Sequence, residues 1–509
     1  MLLVILLAVP FVGGLLCWLV ERIDKNLPRW VGLLTMLTVL GLALYAWATG
    51  DYSLTLLGPE HKWVSEFQAA WIPRFGISFH LALDGLSLLL TLLTGLLGVM
   101  AVACSWKEIF HRSGFFYMNL MWNFFGVIGV FLAVDLFLFF FFWEMMLVPM
   151  FFLIALWGHD IPHGPNRLYA AIKYFMFTQA SGLLMLIAIL ALVFVHYQST
   201  GVLTFDYDAL LGTAMSSTVE FWIMLGFFFA FLVKLPSVPF HTWLPDAHGQ
   251  APTAGSVDLA GVMLKTAAYG FIRYGIAMFP EASAQIAPYA MWLGVFSILW
   301  GAALSFAQND MKRLVAYMSV SHMGFILVGV YAGTAQALQG VMITMLSHGI
   351  SSAGLFILTG EIYERLHTRD FRNMGGLWGR FPYLPPIALF FAMASLGLPG
   401  MGNFVGEFLI LLGTFKADPA VAVGASLGLI TAICYALIYL QRAYYGPPQQ
   451  TGKLLDLNRR ELATLATLMA VLLWLGIHPN EFLHTSAATM EATSHVYLQG
   501  SAYTGVATR

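Results

Sequence analysis

Six ionisable side chains, Glu144, Lys234, Lys265, His322, His348 and Glu407, sit inside long apolar runs of the chain. Carboxylates, ammonium groups and imidazoles can together pass protons, provided that water bridges them and something alters their proton affinities in turn. A charge near the centre of a bilayer costs on the order of 3 kcal/mol, so intramembrane charges point to function by default. At about 4 Å and an effective dielectric of about 20, an opposite charge is worth about 4 kcal/mol, or roughly three pK units. Moving one charge against about 100 mV costs about 2.3 kcal/mol. Separating Glu144 from Lys234 is therefore a step of the right size to release a proton.

Each group has a plainer reading beside this one. Glu144 and Lys234 also suit a fixed ion pair between helices. His322 and His348 also suit hydrogen-bonded core histidines or haem ligands. His241, Asp246 and His248 in HTWLPDAH imitate a metal cluster, but proline intervenes and no fourth ligand is evident, so a loop lining a water inlet is preferred. Lys173 and Arg273 lie nearer span ends, where snorkelling to the interface explains them.

The elements that must carry these groups are unusual. Lys234 lies in Leu232 to Ser256, LVKLPSVPFHTWLPDAHGQAPTAGS, between the apolar runs Glu220 to Val233 and Val257 to Met278. Pro236 and Pro239 break the helix there, and irregular backbone at membrane depth is tolerated only where protein buries it or water reaches it. The run SLGLPGMGNFVGEFLILLG, Ser395 to Gly413, repeats the device with Pro399, several glycines and Glu407. Each interruption is fourth in a five-span block, which predicts an internal repeat with halves at about Phe115 to Met278 and Pro288 to Tyr445. Paired interruptions of this kind point to a transporter's ion site.

Composition sets the frame. The chain has 509 residues, 59% hydrophobic and 10% charged, with a mean hydropathy of +0.78, which implies an all-α polytopic membrane protein. Roughly fourteen apolar runs have the length of about twenty residues needed to cross the hydrocarbon. Leu2 to Val20 lacks a basic n-region and a cleavage site and is read as a span. Residues 1–113 carry the first spans and an extramembrane loop, Asp51 to His80, where alternation at Ile77 and Phe79 predicts a small hairpin. Residues 114–280 and 281–446 are the two halves, and 447–509 hold a last span and a polar tail, Pro479 to Arg509, with little to bury. The aromatic run Phe137 to Trp143 reads as lipid- or partner-facing packing.

Basic residues cluster in alternate loops: Arg22, Lys25 and Arg29; Lys107 and Arg112; Arg167; Lys312 and Arg313; Arg365, Arg369, Arg372 and Arg380; Lys453, Arg459 and Arg460. Lys62, Arg74 and Lys416 are the exceptions, so both termini should face away from the cytoplasm. Cys17, Cys104 and Cys434 lie in separate apolar segments without CxxC spacing, which signals buried thiols rather than an iron–sulfur cluster or covalent haem. A net charge of −2 and the lack of a glycine-rich nucleotide loop speak against nucleic acid and ATP. The driving event must arise outside the chain.

FFWEMMLVPMF, VKLPSVPFHTWLPDAHGQAPT, VMLKTAAYG, NDMKRLVAYMSVSHMGF and LGLPGMGNFVGEF resemble motifs of the antiporter-like membrane subunits of respiratory complex I, a family shared with Mrp-type sodium/proton antiporters. The resemblance covers nearly the whole chain. It implies fourteen transmembrane helices with two inverted five-helix repeats, each containing a broken helix. It implies a multi-pass place in the bacterial inner membrane, among lipid and neighbouring antiporter-like subunits. A peripheral arm would oxidise NADH through FMN and iron–sulfur clusters and reduce quinone, with no cofactor on this chain. Residue by residue, it implies that Glu144 and Lys234 form a modulating pair, that Lys265 and His348 make the connection, that His322 is a polar position on the same axis, and that Glu407 is the outward acid. Some relatives carry lysine at that last position, and a distal member carries an extended lateral helix beyond its last span. Neither feature is expected here. The implied activity is proton translocation driven by redox chemistry in other subunits. The rival readings are a subunit of an Mrp antiporter or membrane-bound hydrogenase, a haem- or quinone-binding redox protein, and an assembly scaffold.

Overall fold

Apolar runs at membrane depth have no water to satisfy their backbone, so they close their hydrogen bonds internally as helices. The computed structural model describes residues 1–53, 63–160, 166–449 and 454–503; Lys62 and Lys453 and the end of the tail lie outside the described residues. In chain order the helices are α1 (Leu2–Val20), α2 (Leu27–Thr49), α3 (Gly85–Cys104), α4 (Ser113–Leu132), α5 (Leu136–Met145), α6 (Leu147–Trp157) and α7 (Arg167–Thr200). They continue as α8 (Tyr207–Leu210), α9 (Ser217–Lys234), α10 (Trp243–Gln250), α11 (Thr253–Asp258), α12 (Leu264–Gly270), α13 (Pro280–Phe306) and α14 (Met311–Ala332). The last are α15 (Ala335–Leu366), α16 (Leu384–Ser395), α17 (Gly402–Ala417), α18 (Pro419–Tyr444), α19 (Arg459–Ile477) and α20 (Asn480–Tyr503). Counting α5 and α6 as one span, 12 helices among the described residues are long and apolar enough to cross a membrane.

Short polar side chains start many of these helices. Asp84, Asp135, Asn166, Ser216, Asp310, Thr334, Asp418 and Asn458 each accept a hydrogen bond from a first-turn amide of the helix that follows, satisfying donors that the helix cannot. α14 and α15 form the centre, 94% and 100% buried over their most apolar windows, whereas α2 and α19 are only 33% buried and lie at the rim.

The basic loops converge on one face. Ser113 Oγ donates to the Lys25 carbonyl at 3.0 Å, Arg29 lies over the Trp106 ring, and the Thr253 amide donates to Glu108 at 3.0 Å. Arg369 reaches the Gly249 carbonyl at 2.7 Å, and Arg365 pairs with Glu461 at 2.6 Å. The opposite face carries the expected hairpin, β1 (Ser65–Ile72) and β2 (Ile77–Leu83), paired antiparallel. Asp135 anchors it by accepting from the Ser78 amide at 2.9 Å.

Several expectations are corrected. The tail is no loose surface segment: Thr485, Ser486, Thr489, Met490, Thr493, Ser494 and Tyr497 of α20 are buried across the hairpin face. Their spacing is that of one helix face, but hydroxyl residues occupy most of it, so an apolar periodicity did not reveal it. Thr489 Oγ1 donates to Asp84 at 2.9 Å, Ser494 Oγ to the Gly333 carbonyl at 2.7 Å, and Tyr497 OH to the Tyr331 carbonyl at 3.0 Å. Arg273 does not snorkel. It is buried, hydrogen-bonded to Asp84, and lies 5.0 Å over the Trp63 ring. Lys173 pairs with Asp246 at 2.7 Å rather than reaching into water. Cys17 and Cys104 are buried, but Cys434 is exposed on α18. Phe139, Phe142 and Trp143 of the aromatic run point into the protein, leaving Phe141 exposed.

Candidate functional site: a buried line of acid and base groups

α9 ends at Lys234 because Pro236 lacks an amide to continue the helix. The break is buried and its loose groups are satisfied: the Trp243 indole donates to the Val233 carbonyl at 2.9 Å, and Ser297 Oγ accepts from the Val238 amide at 3.1 Å. Lys234 Nζ, 1% exposed as a residue, lies 5.2 Å from the Trp143 ring and 6.0 Å from that of Tyr174, within the range of cation–π attraction. Glu144, near the end of α5, is half-buried against α7, so close to Gly182 that a Cβ there would overlap its carboxylate. Among the described residues no ion pair joins Glu144 directly to Lys234.

The helical stretch from Thr253 to Ile276 departs from α geometry twice, with π turns at Leu259–Met263 and Phe271–Ile276 on either side of α12. Such turns carry a hydrogen bond from residue i to i−5 and occur often at functional sites. Here Lys265 Nζ donates to the Ala260 carbonyl, five residues back. The same Nζ lies 2.8 Å from His348 Nδ1 on α15. His348 and His322 of α14 have ring centroids 5.3 Å apart. His322 Nδ1 lies 2.8 Å from Glu407 Oε1, and its Nε2 lies 3.1 Å from Tyr435 OH and 3.3 Å from Ser395 Oγ.

Glu407 reaches that position because α16 stops at Ser395 and α17 restarts at Gly402, through a turn in which Gly397 and Gly400 have φ of 78° and 93°. Only glycine takes that conformation without cost. The structure therefore brings Lys265, His348, His322 and Glu407 into one cluster drawn from α12, α15, α14 and α17, and leaves Glu144 and Lys234 apart on its first-half side.

Both nitrogens of His322 are engaged by protein groups, and Lys265 holds one of His348, which does not suit a pair of haem ligands. His241, Asp246 and His248 diverge. Asp246 is bound by Lys173 and Arg313, each at 2.7 Å, while His248 stacks on Phe356 with centroids 4.4 Å apart. A string of buried polar atoms has no protein partner: both nitrogens of His248, Asp258 Oδ1, His348 Nε2, Asn403 Oδ1 and Glu407 Oε2. Buried polar atoms of this kind are ordinarily satisfied by water.

A family model described as "NADH:quinone oxidoreductase/Mrp antiporter, TM" matches residues 133–433, which contain Glu144, Lys234, Lys265, His322, His348 and Glu407. The chain belongs to that family. It is 62% identical over 487 residues to NADH-quinone oxidoreductase subunit M of Pseudomonas aeruginosa, covering 95% of this chain and 96% of that one. It is 59% identical over 489 residues to the subunit M of Escherichia coli K12, with 96% of each chain covered. Among solved structures, a chain of respiratory complex I from Thermus thermophilus superposes with a TM-score of 0.87 at 31% identity, covering 98% of this chain and 100% of that one.

Sequence reasoning missed Asp258. It is fully buried at the end of α11, accepts a hydrogen bond from Asn123 of α4, and lies within electrostatic reach of Lys234. The signal was present: Asp258 precedes Lys265 by seven residues, about two turns of a regular α-helix, within the same apolar run. Tyr435 and Ser395, which hold His322, carried no such signal, because their spans are far away in the chain.

Proposed function

We propose that this chain translocates protons as a membrane subunit of an NADH:quinone oxidoreductase of the complex I kind. Protons enter from the basic face beside the first break, at Lys234, and move through Lys265, His348 and His322 to Glu407. The hydrogen-bonded cluster linking Lys265 to His348 and His322 to Glu407 carries this reading. A proton that Lys265 gives to His348 Nδ1 can leave from Nε2, which has no protein partner. Water spans the gap to the Tyr435 and Ser395 hydroxyls on His322 Nε2, one of which takes that proton and gives its own to Nε2, and His322 hands a proton from Nδ1 to Glu407. Glu144 acts as the modulator of Lys234 by approaching or leaving it.

Energy comes from FMN, iron–sulfur clusters and quinone held by other subunits, with no redox centre on this chain. The 12 long helices, the π-interrupted stretch and the α16–α17 pair make fourteen crossings. Residues 1–113, 114–280, 281–446 and 447–509 form the N-terminal spans, two inverted halves and the closing segment. Both ends lie on the hairpin face, directed away from the cytoplasm of the bacterial inner membrane. The second break is exposed at Leu398, Pro399 and Gly400. Irregular backbone at membrane depth requires protein cover, which a neighbouring antiporter-like subunit supplies.

The test compares wild type, Lys265→Ala and Glu407→Gln in the assembled complex reconstituted in vesicles. Protons moved per NADH oxidised should fall by the share this subunit carries while NADH oxidation persists. An unchanged ratio overturns the proposal.

A further inference from the structure

A second feature lies away from the proton line and does not depend on it. α2 and α19 diverge and leave a groove of about 190 Å³ between them, floored by leucines of α3 and by Leu346 and Ile350 of α15. Trp47, Trp474 and Phe482 close the end nearest the hairpin face, with ring centroids 5.0 to 6.0 Å apart. The lining is apolar apart from the two indole N–H groups, and that of Trp47 is committed to Thr485 Oγ1 at 3.0 Å. Cavities lined in this way stay dry and accept apolar ligands.

The setting identifies the occupant. Both walls are rim helices whose outer residues are exposed, and Leu44 and Trp474, which line the groove, are themselves 47% and 39% exposed. The groove is thus continuous with the surface that meets the bilayer. A helix of a neighbouring subunit, about 10 Å across, does not fit so small a space, whereas a single alkyl chain does. Trp47 and Trp474 lie near the ends of their helices on the hairpin face, at the depth where aromatic side chains mark the headgroup boundary. We infer that this groove holds one acyl chain of a phospholipid from the leaflet on the hairpin face.

The experiment uses the intact complex in membranes supplied with a phosphatidylethanolamine that carries a diazirine in mid-chain. After illumination, adducts are mapped by peptide. Adducts are expected on Leu92 or Leu96 of α3 as well as on α2 and α19. Leu92 is 9% exposed and lines the groove, so an adduct there reports entry. Leu92→Trp, which fills the groove, should lower α3 adducts about tenfold relative to those on α2, the change produced by losing roughly two buried methylenes. Excess unlabelled phospholipid should compete. Adducts confined to the outward residues of α2 and α19 overturn the inference, as does protection of all three helices, which marks a neighbouring subunit there. Competition by an isoprenoid quinone and not by phospholipid overturns it as well. The wild-type adduct pattern decides the matter even if the variant does not assemble.

Discussion

The two halves of the molecule hold their ionisable groups in opposite ways. In the second half, His322 and Glu407 are in direct hydrogen-bond contact, with Tyr435 and Ser395 closing the remaining side of the imidazole. In the first half, Lys234 has aromatic rings beside it, Glu144 lies against α7, and Asp258 is held by Asn123. A contact cluster fixes distances, whereas separated charges in a poorly polarisable interior stay sensitive to small displacements. On the proposed function, the first half is the one that is switched and the second the one that conducts. The breaks differ in the same sense: the first is buried around Lys234 and the second is exposed at Leu398 to Gly400, where a neighbouring subunit would cover it.

Lys265 joins the two halves, and its removal should have the largest effect. Lys265→Ala takes away a proton carrier, and groups in that role contribute on the order of a hundredfold or more; proton flux through this subunit, measured by dye quenching in vesicles, should fall on that scale. If flux survives, conduction in the second half does not depend on the first. Asp258→Asn keeps the shape and the hydrogen-bonding capacity but removes a charge within reach of Lys234. A loss of about one pK unit of interaction there corresponds to about tenfold in flux. An effect no larger than that of a surface substitution would leave Glu144 as the sole acidic control of Lys234. Tyr435→Phe removes one hydrogen bond to His322, worth about 1 kcal/mol net, so flux should fall by roughly fivefold. Flux falling as far as in Lys265→Ala would mean that the second half is as sensitive as the first.

Much of this was legible in the residues themselves. Buried charges in apolar runs and prolines beside them located both breaks, since each is costly alone and both together demand a compensating structure. Asp258 stands at the edge of an apolar run, beside the break, where a carboxylate is not out of place and does not mark itself as buried. The partners of Arg273 and His322 were out of reach for another reason. Asp84, 189 residues from Arg273, and Tyr435, 113 residues from His322, meet them only through tertiary packing, which no local period encodes. α20 reads as a surface segment because its buried face bonds through hydroxyls, mostly to carbonyls, so its chemistry looks like that of a surface.

The hairpin sharpens the contrast in the mildest way, because its carboxylate anchors, Asp135 and Asp206, belong to the first half. His80 of β2 is buried between Asp206, at 2.5 Å from Nδ1, and Glu66, at 2.8 Å from Nε2. Burial alone would hold the imidazole below its ordinary value, but Asp206 and then Glu66 outweigh it, so the proton is held more tightly in the folded state. The sign follows from linkage. A histidine whose folded pKa is raised stabilises the structure fully below its unfolded value of 6.5, and that contribution is lost as pH rises through the higher folded value. Hydrogen exchange of the 65–83 amides, compared at each pH between wild type and His80→Gln, should show wild type better protected in mild acid and the difference shrinking toward alkaline pH. A difference that is constant with pH would mean that His80 anchors the hairpin by shape alone. Loosening this brace should leave the His322–Glu407 contact untouched, since the hairpin anchors at Asp135 and Asp206, both in the first half.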